Sequence, residues 1–465
     1  MPNIDRRKFL NYSARLTGGT VAGLVALQNN ILMGCAPEKG RSLRDSAGLG
    51  DGGYGPLRPA GPDLALPEGF QYRTIGVEGS IMSDGNETPS WHDGMAAFPM
   101  PNGNVRLVRN HEVARPPAPD GAFGDVSLAY DSTSGGGTTS LEVDPVTREL
   151  VRDFVSLSGT HTNCAGGPTP WGSWLSCEEV TVGRDSGYLM PHGYIFDVPA
   201  SSETQVEAIP LRAMGRFFHE ATAVDPSTGI IYETEDSGTR PLKGGFYRFL
   251  PEAPYRDGEP GDLTLGGRLQ MLAIRDEPNA NLTRGQHPGL SMAVDWADIP
   301  DPDTAEAEAN ELAVFEQGWN AGGARFDRLE GCWWGEGQVY FSSTNGGDAQ
   351  QGQIWRYVPD DSGGVLTLVY ESPDAEIMNG PDNVCLSPRG GLVICEDGSD
   401  GNFIRGLTRD GRLFTFVENI YNEREFAGTT FSPDGNTLFL NIQSGRGGNL
   451  GKTYAVWGPW ERGSL

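Results

Sequence analysis

The sequence predicts an all-β fold, a six-bladed β-propeller with short inserted helices or loops. Three observations carry this expectation. A Pro/Gly turn followed by a strand of β-branched and aromatic residues recurs along the chain in six copies. Glycine (66) and proline (33) are abundant while hydrophobic residues make up 37%, a balance that suits many short strands better than long helices. A second pattern, Gly244-Gly245-Phe246-Tyr247-Arg248-Phe249-Leu250-Pro251, is echoed by Gly352-Gln353-Ile354-Trp355-Arg356-Tyr357-Val358-Pro359. A β-sandwich with coincidental turns is the competing architecture.

Taken in order, residues 1–35 read as an address. Asp5-Arg6-Arg7-Lys8-Phe9-Leu10 is a twin-arginine motif, and an apolar Gly/Ala-rich stretch follows it. The stretch is short and Gly-rich for a membrane span. Leu32-Met33-Gly34-Cys35 resembles a lipobox, with Cys35 as the lipidated residue and a possible membrane attachment. Export by the twin-arginine machinery to the periplasm or beyond is expected. Residues 36–60 are polar and Gly-rich, as a flexible tether would be. Residues 61–465 are expected to form a single propeller domain.

Within that domain the turn at 101–103 leads into 105–112, and that at 169–172 into 174–179. The turn at 225–229 leads into 231–236, 335–337 into 339–345, 387–390 into 392–397, and 432–435 into 438–443. Residues from about 275 to 320 look inserted, with a polar helix or lid over 298–311. Each predicted strand closes on polar or acidic residues: Glu112, Glu178-Glu179, Glu235-Asp236, Asn345, Glu396-Asp397 and Asn441. Equivalent positions in a propeller share one rim, so the repeat predicts a ring of oxygen ligands at the mouth of a channel.

The net charge of −27 argues against a nucleic-acid groove. Excess carboxylate is either a solvated surface or a set converging on hard cations. Candidate chemistry lies in four segments. Cys164, in the loop Asn163-Cys164-Ala165-Gly166-Gly167-Pro168, is either a small buried residue or a rigidly held thiolate. His219 and Glu220 are neighbours before a strand, so one of them should reach the channel. Arg328 and Glu330 are two apart and share a face if extended, which is what a structural ion pair or phosphate recognition beside a metal would need. Gly380-Pro381-Asp382-Asn383 reads as a tight turn with oxygen ligands, followed by a strand ending at Glu396.

Other hydrolase signatures are missing. The six histidines are scattered with no His-x-His or His-Glu-x-x-His site, and there is no Gly-x-Ser-x-Gly elbow. Asp45-Ser46-Ala47 resembles a phosphatase nucleophile triplet but falls in the tether. Five cysteines follow the signal, an odd number that leaves one thiol unpaired, with Cys164 the candidate. Pairing among Cys177, Cys332, Cys385 and Cys395 stays open.

The twin-arginine leader, Asn110-His111-Glu112, the Asn163–Gly167 loop with Cys177-Glu178-Glu179, residues 216–220, Arg328-x-Glu330 and Gly380-Pro381-Asp382-Asn383 occur in an order that resembles the PhoX alkaline phosphatase family. The resemblance implies a phosphomonoesterase with ferric iron and calcium in the propeller channel, acting on small phosphomonoesters. It implies Cys164 as an iron ligand, Glu220 and Glu330 as metal ligands, and Arg328 as the contact to substrate phosphate. Arg328 and Glu330 would carry catalysis, and Glu112, Glu179, Asp382 and Glu396 would complete the metal set. A calcium propeller esterase or lactonase, with oxygen ligands only, and a non-catalytic binding propeller are the alternatives.

Overall fold

Strands form where the turn chemistry and the β-branched runs placed them, and the repeated strands begin and end within about two residues of expectation. The computed structural model describes residues 53–114, 120–237, 243–256, 258–398, 401–444 and 449–465. The twin-arginine leader, Cys35, Asp45-Ser46-Ala47 and the tether up to residue 52 lie outside them. Residues 53–60 belong to the β-domain rather than to a tether. Leu57–Pro59 pairs with Leu64–Pro67, and the Tyr54 hydroxyl donates to the carbonyls of Leu465 (2.7 Å) and Trp460 (3.1 Å). Its ring packs on Phe70 and Phe416, so the aromatic anchor outweighs the polar composition around it.

The described residues are nearly all β, and their arrangement is propeller-like. Six inner strands, His92–Pro99, Asn163–Pro168, His219–Val224, Leu329–Gly335, Pro381–Leu386 and Phe426–Phe431, each pack beside the next, and the last packs beside the first. The predicted repeats are their antiparallel partners: Val105–His111, Ser173–Glu178, Ile231–Glu235, Gln338–Ser343, Leu392–Glu396 and Leu438–Ile442. The echoed Gly-rich pattern marks the third strands, Phe246–Ala253 and Gln353–Val358. The ring closes where Gln71–Val77 pairs with Lys452–Trp457, a contact between segments far apart in the sequence.

Among the described residues, hydrogen bonding joins the strands into five sheets rather than six. The inserted segment is the reason. Its strand Ser291–Asp298 pairs with Asp262–Ile274 on one side and with Val365–Glu371 on the other, fusing two four-stranded units into one nine-stranded sheet. The helix expected over 298–311 is only the 3₁₀ turn Ala305–Glu308, and the α-helix follows at Ala313–Asn320. Pro300 and Pro302 block a helix start earlier.

Candidate metal centre

The six inner strands share one irregularity. Register slips between His92 and Met95, Asn163 and Gly166, His219 and Thr222, Leu329 and Cys332, Pro381 and Val384, and Ala427 and Thr430. Each slip sets two residues against one, a β-bulge that interrupts the in–out alternation and re-aims a side chain. The first residues of the six bulges are Asp93, Cys164, Glu220, Glu330, Asp382 and Gly428. The second residues are small or polar, and they line a central void of about 20 Å³, room for a single water. Size is constrained there: a Cβ on Gly94 would lie 2.5 Å from the Ala165 Cα, and one on Gly331 2.5 Å from the Val384 nitrogen.

A bulge frees a carbonyl from the ladder, and a partner must be found for it. Polar side chains from the preceding unit supply it. Asn441 donates to the Asp93 carbonyl (2.6 Å), Asn110 to that of Ala165 (2.7 Å), Thr234 to that of Glu330 (2.6 Å) and Ser342 to that of Asp382 (2.6 Å). Four of the six bulges are thereby pinned by a neighbour.

The re-aimed side chains converge with the ends of the second strands. Asp93, Glu112 and Cys164 form one group, Cys164, Glu179 and Glu220 a second, and Glu220, Glu330 and Asp382 a third; within each, the ligand atoms lie within 4.8 Å of one another. Cys164 and Glu220 each belong to two groups, so the set is one continuous arc. Glu220 is fully buried, and neither of its carboxylate oxygens has a hydrogen-bond partner among the described residues.

The electrostatics follow from this crowding. Burial, then Glu330 and other carboxylates of the arc, push Glu220 well above the usual range. Burial followed by Glu112 and Asp382 does the same to Asp93, and burial outweighs Arg328 at Glu330. Asp382 is pushed to about 8 by burial and then Asp397. Burial and then Glu220 raise the Cys164 thiol. Such a set stays folded either protonated or neutralised by cations, and a bound cation reverses each shift by favouring the charged form. Orphaned carboxylate oxygens and an oxygen-rich donor set fit hard cations, while the thiol adds a ligand for a transition ion.

Of the expected residues, Glu112, Cys164, Glu179, Glu220, Glu330 and Asp382 come together in the arc. Asp382 sits in a bulge rather than a tight turn. Glu396 lies apart from the arc: Arg405 donates to its carboxylate from Nε (2.8 Å), and the Asn379 N–H donates at 3.0 Å. It reads as a buried ion pair closing the second strand. Arg328 and Glu330 meet, though not through extended alternation. Arg328 has a left-handed backbone (φ 50°) and Glu330 is bulged, yet Nη2 of the one donates to Oε1 of the other. Arg328 Nε also donates to Asp236 (2.8 Å) and Nη1 to Asn345 (3.4 Å). Its side chain is 20% exposed, so it stands at the mouth of the arc.

Asp93 was not among the expected residues. A signal for it exists in the sequence: His92-Asp93-Gly94, Asn163-Cys164-Ala165, His219-Glu220-Ala221 and Leu329-Glu330-Gly331 all set a ligand type before a small residue. Cys177, Cys332, Cys385 and Cys395 are, like Cys164, buried free thiols rather than disulfide partners.

The family model of the alkaline phosphatase PhoX matches residues 52–445. Among solved structures, Pseudomonas fluorescens PhoX in complex with vanadate, a transition state analogue, aligns at TM-score 0.66 with 19% identity, covering 89% of this chain and 99% of that one. A gluconolactonase from Xanthomonas campestris aligns at TM-score 0.42 with 14% identity over 86% of this chain and 99% of its own. No curated protein matches in sequence. The bulged arc of carboxylates and thiol, with an arginine at its mouth, thus lies in a chain that belongs to the PhoX alkaline phosphatase family, and its activity is that of a metal-dependent phosphomonoesterase.

Proposed function

We propose that the arc holds iron and calcium, with Cys164 on iron, and that Arg328 receives the phosphate of small phosphomonoesters. The single observation that carries this reading is the continuity of the arc, in which Cys164 and Glu220 are each shared by two ligand groups. A shared thiolate and a shared carboxylate suit adjacent ions. Glu112, Glu179, Glu220, Glu330 and Asp382 supply oxygen, joined by Asp93. When bound, the cations supply Lewis-acid neutralisation of phosphoryl charge.

The protein's own contribution is orientation. Asp236 and Glu330 fix the plane of the Arg328 guanidinium, and Nη1, whose contact with Asn345 is long, is the donor best able to exchange its partner for a phosphate oxygen. The small second residues narrow the channel beneath the arc to a void of about 20 Å³, too small for a phosphomonoester.

The six inner strands, each with its antiparallel partner, support counting the fold as six blades, two of them bridged by Ser291–Asp298. The leader supports twin-arginine export of the folded, metal-loaded protein to the periplasm, and Cys35 a lipid anchor there. Replacing Arg6 and Arg7 with lysine should trap folded precursor in the cytoplasm, and unchanged export would refute that route.

The deciding experiment is a phosphomonoesterase assay of the purified protein beside elemental analysis. Iron and calcium together with phosphatase turnover are expected. Calcium alone, with turnover of esters or lactones in place of phosphomonoesters and indifference to loss of Cys164, would favour an esterase or lactonase instead.

A further inference from the structure

The sixth bulge carries Gly428 where the other five carry a ligand type, and a side chain does not fit there. A Cβ on Gly428 would lie 2.4 Å from the Asp93 carbonyl oxygen and 2.6 Å from the Asn441 amide nitrogen. This sector nevertheless reaches the arc by another route. Just past its second strand, Gln443 is buried (2% exposed), and its Nε2 donates to Asp93 Oδ2 at 2.5 Å and to Glu112 Oε2 at 2.9 Å. With Asp93 and Glu112 ionised, as they would be beside bound cations, both contacts are to acceptor-only carboxylates, which sets the amide orientation: nitrogen toward the acids, oxygen away. That oxygen is buried without a hydrogen-bond partner among the described residues.

We infer that Gln443 is the sixth sector's contribution to the metal centre: a positioning residue that holds Asp93 and Glu112 convergent through its amide N–H groups and leaves Oε1, on the side away from them, to accept from a cation-bound water. The inference rests on the metal reading above and deepens it. Three features point the same way. A neutral double donor draws two carboxylates together without adding charge, whereas an acid in this place would add a third carboxylate to a group that already holds Asp93 and Glu112 beside Cys164. Buried polar groups are almost always satisfied, so an orphaned acceptor beside candidate ligands marks a place where a donor or cation belongs. And residues that brace metal ligands commonly set affinity nearly as strongly as the ligands themselves.

The test uses the full mature protein stripped of metal and titrated with calcium alone by calorimetry, followed by elemental analysis after reloading with iron and calcium. Gln443→Met keeps the length but removes both donors and the oxygen. Calcium affinity should fall by about tenfold or more while the stripped variant stays folded, at a lower melting temperature because two buried hydrogen bonds are lost. Gln443→Asn keeps the amide but is one methylene short; it should also lose affinity and guards against misfolding of the first variant. Wild-type calcium affinity and metal content in a folded variant, with only a lower melting temperature, would overturn the inference and leave Gln443 a structural residue. If the wild-type protein itself binds no metal, the metal reading fails and Gln443 falls with it.

Discussion

At the scale of the residue, Arg328 and Glu330 have separable tasks although they touch. Arg328→Lys keeps the charge but loses the fork that meets Asp236, Asn345 and Glu330. Turnover should drop about tenfold or more, as expected from losing roughly 1.5–3 kcal/mol of charge-assisted hydrogen bonding, with metal content retained. Glu330→Gln removes charge from the arc, so metal content should fall as well. Equal metal loss in both variants would make the arginine structural. Cys164 gives a second test. Its thiol is held protonated by burial and then by Glu220, so it becomes a thiolate only when a cation displaces the proton. Iron-loaded protein should show thiolate-to-iron absorption and resist alkylation until stripped, and Cys164→Ser should lose colour and activity together. A colourless enzyme with full turnover would remove iron from the assignment.

At the scale of the element, the bulge is the unit that makes the site. It turns the first residue toward its neighbours and presses the second against the adjacent inner strand. Gly331 shows the tolerance: an added Cβ would meet the backbone of Asp382 at 2.7 Å and of Val384 at 2.5 Å, and backbone cannot swing aside. Gly331→Ala should therefore destabilise the fold by about 1–3 kcal/mol and spread Glu330 from Asp382, lowering metal affinity. A melting curve with a calcium titration checks both, and a variant as stable and as calcium-tight as the wild type would show that the bulges have slack. The pins can be tested in the same way, since Thr234→Val would leave the bulged Glu330 carbonyl without its 2.6 Å donor.

At the scale of the whole molecule, the arc couples stability to pH and to metal. Asp382 stands at about 8 in the metal-free fold against about 4 in an unfolded chain. The fold therefore binds more protons than the unfolded chain across that window. This contribution to stability is complete below about pH 4 and is lost as pH rises through about 8. Stripped protein should melt at a lower temperature at pH 8 than at pH 5. With calcium restored the order should reverse, because the ion competes with the protons and stabilises by linkage. A stripped protein whose melting temperature rises between pH 5 and 8 would contradict the buried arc.

The second strands of the ring were legible in the sequence because their signal is local: a turn fixed by Pro and Gly, then β-branched residues, then an acid. Those acids gave Glu112 and Glu179, and the loop chemistry gave Cys164. The family order of motifs gave Glu220, Arg328, Glu330 and Asp382. Asp93 was missed because its signal is a bulge, one extra residue whose effect exists only against a paired strand. Glu396 was misplaced for the same kind of reason. Its position at a strand end resembles that of its neighbours, but Arg405 meets it across the sheet and takes its charge. Sheet count was likewise a tertiary matter, decided by where Ser291–Asp298 found its two partners. The sequence by itself determined the strand repeat, the rim and the types of ligand available. Only the tertiary structure decided which of them share a site, because convergence depends on register and on which strands pack around the channel, and neither is a property of adjacent residues.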